Sequence, residues 1–104
     1  MINILLIVDE YLRENGVHNI WVNENSKYII RLYKDKSSNA IYNYLPNKVS
    51  DYIKITIWLT YHERNAVLEI FYTKEYKSKA INDAYLVDIN DPNFFEQVIS
   101  IVRQ

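Results

Sequence analysis

The stretch Asp51–Lys74, DYIKITIWLTYHERNAVLEIFYTK, decides the fold. From Tyr52 to Tyr61 its residues alternate strictly. Ile53, Ile55, Ile57, Leu59 and Tyr61 point one way, and Tyr52, Lys54, Thr56, Trp58 and Thr60 point the other. A polar tetrad, His62-Glu63-Arg64-Asn65, interrupts the pattern. It resumes with Ala66, Leu68, Ile70 and Tyr72 on one side and Val67, Glu69, Phe71 and Thr73 on the other. A period of two over this length is the mark of strands with unlike faces. With the tetrad as the loop, Tyr61 faces Ala66, Leu59 faces Leu68, Ile57 faces Ile70 and Ile55 faces Tyr72. The aliphatic residues of both strands then share one face, and that sharing fixes the register.

Outward from this hairpin, Ala84 to Ile89 reads as a last strand, joined to it by a basic, polar link, Glu75-Tyr76-Lys77-Ser78-Lys79. A helix follows. Asp91 suits its N-cap, Pro92 its first position, and Phe94, Phe95, Val98, Ile99 and Val102 make its apolar stripe. On the N-terminal side, Ala40 to Leu45 reads as a short strand ended by Pro46, after a polar turn at Lys34 to Asn39. Two strands precede it, Asn19 to Asn23 and Lys27 to Lys34. A three-residue loop, Glu24-Asn25-Ser26, with Asn25 at positive φ, would place Ile20, Val22, Tyr28, Ile30 and Leu32 on one face and Trp21, Ile29, Arg31 and Tyr33 on the other. Asn3 to Asn15 has Ile4, Ile7, Val8, Tyr11 and Leu12 at helical spacing, with Gly16 placed for a left-handed cap.

The expectation is an α+β fold: an antiparallel sheet of five or six strands, mostly hairpins, with an N-terminal and a C-terminal helix on its aliphatic face. A chain of 104 residues is expected to be one domain, 1–104. Its formal charge of −1 carries no electrostatic footprint of a nucleic-acid or membrane binder. The absence of cysteine removes disulfides, thiol nucleophiles and thiolate metal sites. No run approaches a membrane span, and Met1 to Val8 lacks the basic start of a signal peptide, so the expected location is cytoplasmic. A single glycine leaves no room for a glycine-rich phosphate loop.

Chemistry-bearing residues are sparse. His18 and His62 stand far apart and not at ligand spacing, so neither metal nor cofactor is expected. His62, Glu63 and Arg64 form a charged tip that suits a protein contact better than catalysis, because a hairpin tip excludes no solvent. Asp9 and Glu10 read as the solvent side of the first helix, and Asp91 as a cap near Asp88. Lys34, Lys36, Lys74, Lys77 and Lys79, beside Tyr33 and Tyr76, have the ingredients of a single-strand nucleic-acid binder, but their turns need not share a side. The second face of the central hairpin carries more weight. There Tyr52, Trp58, Val67 and Phe71 sit among polar residues, with Trp58 opposite Glu69, as aromatic anchors do in a polar rim. Ten tyrosines add contact area at low entropic cost.

The functional expectation is a small non-enzymatic protein-binding module, partnered by another protein or by a second copy of itself. Size and composition suggest an inhibitor of the phage anti-defence or anti-CRISPR kind, or a toxin-immunity protein. The alternatives are a homodimeric small-ligand-binding domain or minor enzyme, and third a single-stranded nucleic-acid binder.

Overall fold

The structure, a computed structural model, describes residues 4–24, 26–76 and 79–104. Helix α1 (Ile4–Glu14) is followed by β1 (Ile20–Glu24), β2 (Lys27–Asp35), β3 (Ile41–Tyr42), β4 (Tyr52–His62), β5 (Asn65–Tyr76), β6 (Lys79–Asp88) and helix α2 (Phe94–Val102). The strands form one antiparallel six-stranded sheet in the order β1-β2-β4-β5-β6, and β3 bridges β2 beyond the end of β1. The α+β architecture with a helix at each end is the one the hydrophobic pattern implies.

The central hairpin has the expected register: Tyr61 pairs with Ala66, Leu59 with Leu68, Ile57 with Ile70, Ile55 with Tyr72 and Trp58 with Glu69. Its connection is tighter than a tetrad. His62 pairs with Asn65, so the turn is Glu63-Arg64 alone, with φ of 50° and 74°. Two positive φ values define the primed turn whose twist matches flanking strands, a role usually filled by Asn-Gly. An L-residue with a long side chain in this region is strained by ~1 kcal/mol. Arg64→Gly should therefore raise stability by about 0.5–1 kcal/mol, read as an upward shift of the thermal midpoint.

The first hairpin corrects the sequence reading. Trp21 pairs with Ile30, Val22 with Ile29 and Glu24 with Lys27. The connection is one residue shorter than the three assumed, and Ser26 adopts φ 62°. Side chains alternate, so this one-residue slip turns the whole of β1 over. Trp21 packs against the core, and Ile20 and Val22 move to the opposite face with Ile29. The positive φ expected of Asn25 lies outside the described residues.

The last hairpin is also longer than expected. β5 and β6 pair without a break from Val67–Asp88 to Tyr76–Lys79, so most of the supposed link is strand. Lys77 and Ser78 lie outside the described residues, as does Asn3 at the expected start of α1.

Gly16, at φ 80°, closes α1 as its position suggests. Val17 N–H donates to Leu12 O at 2.8 Å and Gly16 N–H to Arg13 O at 3.1 Å, which is the Schellman pattern. Val17 and Leu12 are both buried in the core, completing the apolar contact that accompanies this cap. α2 begins later than expected. The Asp91 carboxylate accepts the Asn93 N–H at 2.8 Å, closing a turn, and Asn93 rather than Asp91 precedes the helix. Arg103 Nη2 donates to Asn15 O at 2.6 Å, so the end of α2 holds the end of α1.

Both helices pack on one side of the sheet. Leu5, Val8 and Leu12 of α1 and Phe94, Val98 and Val102 of α2 share a cluster with Ile30, Leu32, Ile55, Ile57, Leu68, Ile70 and Val87. Tyr72 joins them, and its hydroxyl donates to Ile101 O; burial pushes the pKa of that hydroxyl up.

Candidate functional site

Among the described residues, no helix lies on the other side of the sheet. The residues there follow from the register. β2 contributes Lys27, Ile29, Arg31 and Tyr33, β4 contributes Tyr52 to Thr60 at alternate positions, and β5 contributes Val67, Glu69, Phe71 and Thr73. Val22 from β1 and Leu86 from β6 extend the surface on either side. Among the described residues of this face, Ile29 and Thr56 are buried, at 2% and 9% exposure. Tyr52, Trp58, Val67, Glu69 and Phe71 are half-buried, and Leu86 is 53% exposed.

The centre of this face is an aromatic pair. Trp58 and Phe71 meet edge to face, with ring centroids 5.2 Å apart and planes at 88°. They are diagonal neighbours, because Trp58 is opposite Glu69 and Thr56 opposite Phe71. The indole N–H donates to Glu69 Oε1 at 3.2 Å, so the polar atom of the largest side chain is satisfied within the face. Lys27 Nζ stands 5.1 Å from the centroid of the Trp58 ring, a cation–π distance. Tyr33 and Tyr52 form a second edge-to-face pair at 5.7 Å.

Charge on this face is mixed. Both signs occur on the same side: Lys27, Arg31 and Asp35 lie on β2, Lys54 on β4, and Glu69 and Asp88 on β5 and β6. Rigid rings with satisfied polar atoms lose little entropy on being covered, and flanking charges set the orientation of whatever covers them.

The remaining sequence candidates are scattered. At the tip, His62, Glu63 and Arg64 are exposed, and His62 Nε2 lies 3.9 Å from Glu69 Oε2, an ion pair when the imidazole is protonated. The tip is thereby continuous with the aromatic face through Glu69. His18 is exposed at the opposite end of α1's connection to β1. Asp88 Oδ1 accepts the Asn90 N–H at 2.9 Å, a turn contact like that of Asp91. Among the described residues, no three of His, Cys, Asp and Glu gather as a metal ion requires.

Two assignments change. Asp9 is not on the solvent side of α1: it is buried, receives Arg13 Nε at 3.0 Å and the side-chain amide of Asn19, and Arg13 Nη2 reaches Asn19 O at 2.5 Å. This network ties α1 to the start of β1. Nor does Lys34 belong to a basic patch. It pairs with Ile53 and Ile41, faces the helices, and is 2% exposed. Its Nζ has no hydrogen-bond partner, and burial pulls its pKa below the ordinary lysine value. Lys36 binds Asp51 at 3.2 Å. Asp35, held below the usual carboxylate range by the Ser37 N–H and hydroxyl, closes the same turn. The side chains of Lys74 and Lys79, and all of Lys77, lie outside the described residues.

Sequence reading missed Lys27, Ile29, Arg31 and Leu86 as members of the open face. Their signal was present as strand parity, but β2 and β6 join this face only through their pairing with β4 and β5.

Compared with protein-family models, curated proteins and solved structures, the chain matches none. Among the described residues no helix is long and apolar enough to cross a membrane.

Proposed function

We propose that this protein is a small non-enzymatic protein-binding module that docks through the open face of its sheet. One observation carries the reading: α1 and α2 both lie on the aliphatic side, and among the described residues no helix covers the face built around Trp58 and Phe71. A two-layer domain covers one side of its sheet from within the chain. Large half-buried rings on the other side, rimmed by charge, have the composition of a hot spot. Tyr52, Val67 and Glu69 complete that patch, and His62, Glu63 and Arg64 form its outer rim through the His62–Glu69 contact. The size of the chain and its lack of cysteine fit a cytoplasmic inhibitor of the anti-defence or toxin-immunity kind.

Trp58→Glu combined with Phe71→Lys tests the reading. The aliphatic core lies on the opposite side of the sheet, so the variant should keep a cooperative unfolding transition. It should lose the associations of the wild-type chain, with a binding cost of at least ~2–4 kcal/mol. Size-exclusion chromatography with light scattering reads self-association, and cross-linking followed by mass spectrometry reads other partners. A variant that folds and keeps every wild-type association would place the interface elsewhere. A variant without cooperative unfolding would show that this face is core.

A further inference from the structure

We propose that the outer edge of β6 is a second docking site, which takes up a basic, extended segment of another protein as an added antiparallel strand. The inference goes beyond the docking reading above. It rests on the edge of the sheet and not on the face around Trp58 and Phe71, and it stands whether or not that face is occupied.

The first observation is the edge itself. β6 ends the strand order, and among the described residues no strand pairs with its outer side. Such an edge offers a row of backbone N–H and C=O groups to any extended chain, so folded proteins usually blunt it with proline, a bulge, lysines or brevity. β1, at the other edge, is blunted by brevity, Ile20–Glu24. β6 has ten residues and pairs one to one with β5 from Val67–Asp88 to Tyr76–Lys79, with no bulge. No proline interrupts it, and no lysine follows Lys79. α2 packs on the face of β6 that carries Val87. All the strand pairs of this sheet are antiparallel, and a strand added at β6 continues that order.

The second observation is charge, and it selects the occupant. Between Lys79 and Arg103 the chain carries Asp83, Asp88, Asp91 and Glu96 and no base. Asp83 and Asp88 are exposed on the strand itself. A β6 strand of a second copy would bring acids to this acidic edge and no base beyond Lys79, whereas a basic strand is attracted to it. The register gives the pattern that fits. Asp88, Leu86 and Ala84 are opposite Val67, Glu69 and Phe71, on the open side, and Asp83 is opposite Tyr72, on the helix side. Leu86 is 53% exposed and Ala84 is exposed beside it. An antiparallel strand running from Asp88 to Asp83 is therefore complementary with a base at its first and sixth residues and apolar side chains at its third and fifth. The two bases point to opposite sides of the sheet, as alternation along a strand requires.

The probe is a synthetic peptide with blocked ends and the central run Lys-Thr-Val-Thr-Val-Lys, titrated into the purified full chain by calorimetry up to about 1 mM. It should bind saturably. Glutamate in place of both peptide lysines should weaken binding by about ten-fold or more, because carboxylates then face Asp83 and Asp88. Asp83→Lys, at an exposed position, should weaken the original peptide and favour one whose sixth residue alone is glutamate. Backbone methylation separates strand addition from a purely ionic contact. An added strand turns every second N–H toward β6, so N-methylation of one alternate set of peptide amides should abolish binding and N-methylation of the other set should be tolerated. Trp58→Glu with Phe71→Lys should leave peptide binding unchanged. No binding, binding indifferent to the charge swaps, or an equal response to the two methylated sets overturns the proposal, as does a chain that dimerises through β6 and excludes the peptide. If Trp58→Glu with Phe71→Lys folds but loses the peptide, the peptide sits on the open face: the edge site falls and the docking reading stands.

Discussion

A chain ending at Asn90 should not fold. The truncation removes Phe94, Val98 and Val102, which are 4%, 0% and 0% exposed, along with the partly buried Phe95, Ile99 and Ile101. Three fully buried apolar side chains contribute roughly 1.5–3 kcal/mol each, and the parts of β6 and α1 on which α2 packs are uncovered at the same time. The Tyr72 hydroxyl loses its acceptor at Ile101, and the Asn15 carbonyl at the end of α1 loses Arg103. The sum is comparable with the ~5–15 kcal/mol that holds a typical domain together. Circular dichroism with temperature should show no cooperative transition and a fall in strand content. A sharp transition near the full-length midpoint would mean that α2 is dispensable to the core.

Replacing Lys34 should act in the opposite direction. Lys34→Met keeps the length of the side chain and removes an ammonium that is buried on the helix side without a partner. A buried unsatisfied polar group costs about 1–3 kcal/mol, so the variant should be more stable by about that amount. For a domain of this size that is several degrees in thermal midpoint. The pH dependence gives the mechanism. Burial lowers the folded-state pKa of Lys34 from its ordinary 10.5. The folded protein therefore releases this proton more readily than the unfolded chain, and the penalty is fully present below the folded pKa. It declines as pH rises from that value toward 10.5, above which both states are neutral. The advantage of Lys34→Met should be largest at neutral pH and shrink toward pH 10. A destabilised variant would show that the lysine supports the fold, and a gain that stays constant across that range would show that it does not come from the buried charge.

These two residues mark the two ends of what local pattern reveals. The apolar stripe of α2 is a periodicity within a single element, and Phe94, Val98 and Val102 are buried as that spacing demands. Lys34 ends the expected strand and opens a run of turn residues, so its composition reads as solvent-facing. It is buried because it continues the Ile30–Leu32 side of β2, two residues beyond Leu32. Asp9 is a similar case. On α1 it looks like one of two adjacent surface acids, but Asn19 and Arg13 converge on it once β1 is in place.

The hairpins show the same contrast. In β4 and β5 every alternate residue is aliphatic on one side of an unmistakable polar break, so one register alone joins the aliphatic rows. In β1 and β2 both faces carry large apolar residues, and a loop of two residues rather than three exchanges them. Trp21 is packed against the core in place of Ile20 and Val22, and nothing within these two strands says so. At the start of β6, Ala80 to Asp83 lacks any alternation of apolar and polar types, and its strand comes from the ladder to β5.

What the amino-acid sequence determined by itself was which side chains lie together: Trp58 with Phe71 and Glu69, the aliphatic row of the central hairpin, and the two terminal helices. Period two and period 3.6 are properties of the backbone, so they can be read wherever one face is chemically distinct. Tertiary structure alone decided which face is covered. Both rows of the central hairpin are rich in large side chains, and pairing strands leaves both exposed. Only the docking of α1 and α2 onto Ile30, Ile55, Ile57 and Ile70 chooses between them, because burial depends on residues distant in the chain. That choice leaves Trp58 and Phe71 on the open side.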